Sequence, residues 1–376
     1  PPTKGPITPT PVALCAFGPP APPEPGPSLE AYVFSEPSVV LTHTEYITIL
    51  GGLSDGQRLL VARGDQGYEY IETFNVQTGA LQRYGRRRGL TPSFDGPKAV
   101  WLASENAVAF TDLTLDGRGV LRISWGEGVP EREVTTDLVS IYFAASSDGR
   151  RLVFFSEAAK EPQIYDVTQD QTQRLPFILP PAGEAYSRMY QAAWQPNGNQ
   201  IAFYSEIGFY LADLSTGQLC EVDLGVGPGG KQWAVGAQWS PDGRYLAVQT
   251  KSGPLGTSFG GDLTIIDANA RVWYRAELGL QHPHALAWAP NSHDLVMIAE
   301  AGPDADSYLH GLYLVSATTD SIRRMLVDYP FRYSGYLGIV WSASGQEIAF
   351  GCPTIDPINS SIAEGRICMI SVKTQS

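Results

Sequence analysis

The sequence predicts an all-β chain built from one repeated unit, and three observations carry that prediction. The stretch Trp239–Val248 reads Trp-Ser-Pro-Asp-Gly-Arg-Tyr-Leu-Ala-Val: an aromatic ends one strand, a tight turn follows, and an apolar run opens the next. Proline presets φ at the first turn position, and Gly243 takes a conformation that other residues resist. The same cassette recurs down the chain at intervals of about 44 to 53 residues. Finally, only 17% of residues are charged, 11% are aromatic and 39 are glycine, with short apolar runs throughout.

Taken in order, residues 1–27 are dense in proline and read as an extended spacer. Tyr32–Phe34 and Ser38–Leu41 are short β-like runs with no neighbour in sequence. The first repeat has Ile47–Leu50, the turn Ser54-Asp55-Gly56, Leu59–Ala62 and Tyr70–Val76. The second, with Trp101, Ala107–Phe110 and Val120–Ser124, has lost its turn glycine. The third runs through Ser147-Asp148-Gly149, Leu152–Phe155 and Ile164–Val167, and the fourth through Trp194, Gly198, Ile201–Tyr204 and Phe209–Leu214. The fifth is the template. Trp288 and Leu295–Ile298 mark the sixth, Trp341 and Ile348–Phe350 the seventh.

Each unit supplies three clear strands and a weaker fourth, such as Gln218–Val222 or Ile322–Leu326. Four antiparallel strands per ~45 residues make a propeller blade. The last repeat ends after its third strand, and the stranded N-terminal runs are free to complete it, leaving no open blade edge. The expectation is one seven-bladed β-propeller over residues 28–376, closed by an N-terminal strand. Trp194, Trp239, Trp288 and Trp341 are expected between blades.

The cassette Ser-Pro-Asp-Gly-x-x-Leu-Ala-Val/Phe, followed by a strand ending in Asp and a Thr-Gly turn, resembles the TolB-like propeller repeats. These also occur in the non-catalytic domains of prolyl-oligopeptidase-type peptidases. Trp239–Val248 with Asp267, Trp194–Phe203 with Asp213 and Gly217, and Ser147–Phe154 with Asp166 carry the likeness. It spans the chain from about residue 47 onward and implies a fold rather than an activity. The α/β domain that TolB carries before its propeller has no counterpart here, so the partners TolB binds through that domain are not implied.

A net charge of −13 argues against a general nucleic-acid binder, which needs a basic face. No apolar run approaches the ~20 residues of a membrane-spanning helix. The proline spacer ahead of a folded domain suits an exported, tethered chain, periplasmic or at the cell surface. Cys352 and Cys368 lie on neighbouring predicted strands, where a disulfide and two buried thiols are equally open readings. Cys15, in the spacer, reads as a tether or a site of modification, and Cys220 as a core thiol.

Two catalytic-looking motifs resolve into structure. Gly52-Leu53-Ser54-Asp55-Gly56 matches Gly-x-Ser-x-Gly but falls on the first repeat's turn with no helix after it. Gly225-Val226-Gly227-Pro228-Gly229-Gly230 matches a dinucleotide fingerprint but opens no helix, and reads as an inter-blade loop. His282 and His284, at the start of the sixth repeat, are weak metal candidates or the base of a polysaccharide lyase. Asp304 and Asp306 form an oxygen-rich loop that would suit Ca2+, without EF-hand spacing. The basic run Arg83, Arg86, Arg87 and Arg88 is assigned to the loop after the first blade.

One pattern is left. The loops entering the first strands hold Arg188 and Tyr190, Lys231 and Trp233, His282 and His284, and Arg332, Tyr333 and Tyr336. Around a ring these would form a face of aromatic anchors with polar rims, the composition of binding hot spots. Packing of the aromatics between blades is the alternative. The functional expectation is a non-enzymatic binding scaffold of the cell envelope or exterior, a subunit of a larger assembly with protein partners and no cofactor. A lyase or hydrolase working in the channel mouth, and a glycan- or peptide-binding module using the aromatic face, are the alternatives.

Overall fold

The computed structural model describes residues 12–16, 26, 28–53, 55–88, 99–114, 118–156, 161–180, 190–196, 198–205, 207–227, 230–252, 259–268, 272–276, 281–291, 293–300, 310–319, 321–329, 338–355 and 362–375. Each sequence repeat falls on one antiparallel meander. The first comprises Ile47–Gly52, Arg58–Asp65, Tyr68–Asn75 and Leu81–Arg88. The second and third are joined by one strand of 14 residues, Arg132–Ala145, whose start pairs with Gly119–Ser124 and whose end pairs with Arg151–Ser156. The fourth, fifth and sixth begin with Gln191–Trp194, Gly230–Trp239 and Gln281–Trp288.

Alternation along these strands buries both faces of each sheet. Leu59, Val61 and Phe74 pack towards the seventh meander, while Leu60, Ala62 and Ile71 pack towards Val108 and Phe110 of the second. The core is therefore a series of seams between meanders, as expected when sheets pack face to face.

The cassette chemistry is visible atom by atom. In the fifth meander Ser240 Oγ donates to Asp242 Oδ1 at 2.6 Å and accepts from the Tyr245 amide at 2.9 Å. Ser146 and Asp148 repeat the arrangement in the third. Gly243 has φ +72, and a Cβ there would stand 2.8 Å from the Pro196 carbonyl oxygen, so this turn requires glycine twice over. In the second meander Asn106, at φ +50, takes the left-handed position for which no glycine is present. The four tryptophans expected between meanders are buried. Trp239 Nε1 donates to the Ala193 carbonyl at 3.1 Å and Trp288 Nε1 to that of Gln238 at 2.9 Å, stitching each meander to the one before it.

The N-terminal runs pair as the sequence expects. Tyr32–Phe34 and Ser38–His43 lie antiparallel to Ile362–Thr374, the third strand of the last meander. Arg323 donates to the carbonyls of Leu29 and Tyr32 at 2.9 and 2.8 Å, clasping this segment from the sixth meander.

Two sequence readings change. Within the stretch read as spacer, Ala13–Leu14 form a parallel strand against Gln218–Glu221, and Cys15 is buried and disulfide-bonded to Cys220. Cys15 is thus neither a tether nor a modification site, and Cys220 is not a free thiol; the strand falls within residues 12–18, the longest interval without proline in that stretch. Cys352 and Cys368 form the second disulfide. The arginine run is not a loop but the strand Leu81–Arg88.

Candidate functional site

The inner strands of the meanders converge on a cavity of about 910 Å3 at the end where the turn cassettes lie. Every meander contributes to its wall. Leu50, Leu53, Trp101, Pro196, Pro241 and Pro290 are among the lining residues, and Arg58 and Glu347 are the charged ones among those described. The wall is more apolar than polar, because the cassette places Trp at the strand end and, in three meanders, Pro in the turn, while Ser240 and Asp242 are spent on the turn's own hydrogen bonds. Arg58 is held by Asp55 and lies 5.3 Å from the Trp101 ring centroid.

A second cleft, of about 830 Å3, opens between the sixth and seventh meanders and shares Pro290, Trp341 and Glu347 with the channel. Beneath it lies a polar cluster of the buried Tyr32 and Asp294 with the exposed Asn291. Tyr32 donates its hydroxyl to Asp294 Oδ2 at 2.7 Å, and Asn291 Nδ2 lies 2.9 Å from Tyr32 Oη and 3.2 Å from the same carboxylate oxygen. Burial pushes the Asp294 carboxyl above its ordinary range, against the opposing bonds from Tyr32 and Asn291. Burial, then the Asp294 carboxylate, pushes the Tyr32 phenol upward.

The expected binding face is divided. Tyr190 is buried, stacked on Phe155 with centroids 6.1 Å apart and edge-on to Tyr210 at 5.8 Å, and burial raises its phenol. For Tyr190 the packing alternative therefore holds. Lys231 is exposed and Trp233 half-buried, and both border a small cavity of about 260 Å3 with Leu14 and Ile207. His282 and His284 sit in the strand Gln281–Trp288, with their side chains outside the description. Arg188, Arg332, Tyr333, Tyr336, Asp304 and Asp306 lie outside the described residues.

The register adds a histidine that the sequence reading left aside. His310 stands opposite Glu300, and Glu300 opposite Gln281, beside His282. Spacing alone hides this, because the partners come from three different strands. Among the described residues no group of three or more His, Cys, Asp or Glu side chains is placed to hold a metal ion.

The arginine strand carries a charged network instead. Glu72, almost fully buried, takes Arg63 through two bonds at 2.8 and 2.9 Å and has Arg83 at 3.5 Å. On the opposite face Glu69 binds Arg87 and accepts from Tyr46 Oη. Arg83 and Arg86 lie over the rings of Tyr70 and Tyr68 at 4.1 and 4.4 Å. Burial, then the neighbouring Arg63 guanidinium, lowers the His43 pKa and favours the neutral imidazole.

Comparison with solved structures fits this geometry. The β-propeller domain of Swd1 from Myceliophteria thermophila superimposes with a TM-score of 0.56 at 12% identity, covering 88% of this chain and 99% of that one. An oligogalacturonate lyase in complex with manganese gives 0.56 at 14% identity, over 89% and 90%. TolB from Acinetobacter baumannii gives 0.44 at 14% identity, over 73% and 62%, a looser fit. No protein-family model matches the sequence, and no curated protein matches it. Together the meanders and the first two of these neighbours define the class: the chain is a β-propeller. At such identities the likeness extends to the fold and stops there.

Proposed function

We propose that this protein is a non-catalytic binding scaffold, a seven-bladed propeller closed by its N-terminal strand, and that it holds a partner protein at the channel mouth. The observation that carries the reading is the wall of that mouth, more apolar than polar, to which all the meanders contribute and in which leucine, proline and tryptophan recur, with Arg58 and Glu347 as its described charges. A depression of this composition suits an apolar loop of a partner, with the exposed turns as a polar rim. Two disulfides suit an oxidising compartment, which supports a chain working outside the cytoplasm, in the envelope or exterior. No helix among the described residues is long and apolar enough to cross a membrane. The reading requires no cofactor.

The test is a gentle native pull-down from membrane and extracellular fractions, repeated with Leu50→Asp and Pro241→Glu variants. A stoichiometric partner, lost in the variants while the melting temperature holds, is the expected outcome. A chain recovered alone and monomeric would reject the scaffold reading.

One observation favours a second reading. His282, Glu300 and His310 fall at the same end of the sixth meander, and an oligogalacturonate lyase with manganese is among the structural neighbours. In this reading the chain acts on an acidic polysaccharide, with His282 or His284 as base or metal ligand. Activity on a polyuronate panel that disappears on replacing both histidines would displace the scaffold reading.

A further inference from the structure

We propose that the Cys15–Cys220 disulfide is a reducible latch: a dithiol opens it in the folded chain and so frees the N-terminal segment that completes the last meander. The two disulfides are unequally protected. Cys352 and Cys368 are 4% and 1% exposed, and Cys368 lies inside the 13-residue strand Ile362–Thr374, with Phe350 opposite it on one side and Val39 on the other. Cys220 is half-buried in the last strand of the fourth meander, and the chain laid over it is short. Ala13 and Leu14 pair with Cys220 and Glu221, the Cys15 amide donates to the Glu221 carbonyl at 2.9 Å, and Leu14 is 64% exposed. A two-residue pair at a sheet edge opens far more readily than the middle of a long strand paired on both sides. The two bonds therefore differ in how often their sulfurs are presented to a reagent.

The exchange balances with the dithiol alone. One thiolate of the reagent attacks Cys220 Sγ, the S–S bond breaks, and its electron pair leaves on Cys15 Sγ, which takes up a proton. The second thiolate attacks the reagent's own sulfur in the mixed disulfide and expels Cys220 as a thiolate. Two electrons pass from the dithiol to the protein, and the reagent leaves as a disulfide.

What the latch controls follows from where the segment goes next. Gly26 lies against the sixth meander, so close that a Cβ there would stand 2.9 Å from His293 Cβ. Arg323 of the same meander bonds to the carbonyls of Leu29 and Tyr32, and Tyr32–Phe34 pairs with Val372–Thr374. Leu29 and Tyr32 are buried in one cluster with Cys352 and Cys368. With the latch closed, the segment is fixed at both ends, by Cys15 on the fourth meander and by Ile47–Gly52 in the first. With it open, the segment is a tail held by non-covalent contacts, and it frays from its free end. Tyr32 also lines the cleft between the sixth and seventh meanders, so fraying unmakes part of that wall. Cys352–Cys368 stays closed and keeps Ile362–Thr374 in place as the surface to which the tail returns.

The test treats the full chain with increasing dithiothreitol, traps thiols with N-ethylmaleimide for peptide mass spectrometry, and follows amide hydrogen exchange in the same samples. Cys15 and Cys220 should be labelled at a reagent concentration about tenfold or more below that needed for Cys352 and Cys368. Exchange over residues 12–16 and 29–34 should quicken by about tenfold or more, exchange over the buried residues 246–248 should stay as it was, and oxidised dithiothreitol should reverse both changes. The variant Cys15→Ser/Cys220→Ser should show the fast exchange without reagent and no further change at the concentration that opens the parent. Labelling of all four cysteines together, earlier labelling of Cys352 and Cys368, labelling only where residues 246–248 also exchange, or reduction that leaves residues 29–34 as protected as before would each overturn the proposal.

Discussion

Replacing Cys15 and Cys220 together by serine removes a covalent bond between residues 205 apart in sequence. In the chain-entropy account, closing a loop of that length withdraws freedom from the unfolded chain worth about 5 kcal/mol at room temperature, against about 3 kcal/mol for the 16-residue loop of Cys352–Cys368. The unfolding entropy of a chain of 376 residues is roughly 0.8 kcal/mol/K, at ~2.1 cal/mol/K per residue. The melting temperature should therefore fall by about 6 °C for the long loop and about 4 °C for the short one.

The structure sets a condition on the larger value. Apart from the disulfide, the docked arm is held by a two-residue strand pair, the Cys15 amide bonded to the Glu221 carbonyl at 2.9 Å, and burial of Cys15 among Phe209, Val222 and Leu224. With the bond gone the arm can detach before the propeller unfolds, which makes 6 °C a ceiling and makes detachment itself observable. The assay is calorimetry of parent and variant, with protease cleavage of the arm followed in parallel below the transition. The expected result is a lowered melting temperature together with faster clipping near residues 12–16. A variant that melts within about a degree of the parent and is clipped no faster would refute the reasoning, as would free thiols at both positions in the unreduced parent.

Other perturbations follow from the same geometry. Gly243→Ala forces a Cβ to within 2.8 Å of the Pro196 carbonyl at φ +72 and should cost at least about 1–2 kcal/mol, read from the urea midpoint. Tyr32→Phe leaves the buried Asp294 carboxylate without its hydroxyl donor, and should destabilise by about 1–3 kcal/mol in the same assay. Because the folded pKa of Asp294 is raised, its contribution is fully present below the unfolded value of about 3.9 and is lost as pH rises through the folded one. Asp294→Asn should remove that decline from a plot of stability against pH. Glu69→Gln breaks the buried pair with Arg87 and should cost about 3–5 kcal/mol by denaturant titration, whereas Glu364→Gln, at a half-exposed pair, should cost less than about 1 kcal/mol.

The fold was legible because a turn cassette is local chemistry: Ser, Pro, Asp and Gly act within five residues, and strand alternation needs only the next neighbour. Pairing of Tyr32–Phe34 with the chain's last long strand was also legible, as the one use left for an orphan run. The disulfide of Cys15 was not. It depends on Ala13 and Leu14 lying beside Cys220 and Glu221, and proline density upstream and downstream disguises a short stretch able to pair. Arg87 was misplaced for a related reason. Three consecutive arginines look like a solvated loop until Glu69, on the adjacent strand, is seen to neutralise one of them inside the seam.

The loops that enter the first strands are chemically various while the cassette repeats, and in a single sequence a repeated residue reads as structure alone. In a propeller, however, a residue repeated at one strand end is gathered by the ring into a single surface, and repetition then multiplies a weak local character into a strong one. A proline or tryptophan at one turn is packing; the same residues brought round from successive meanders make the wall of the 910 Å3 mouth.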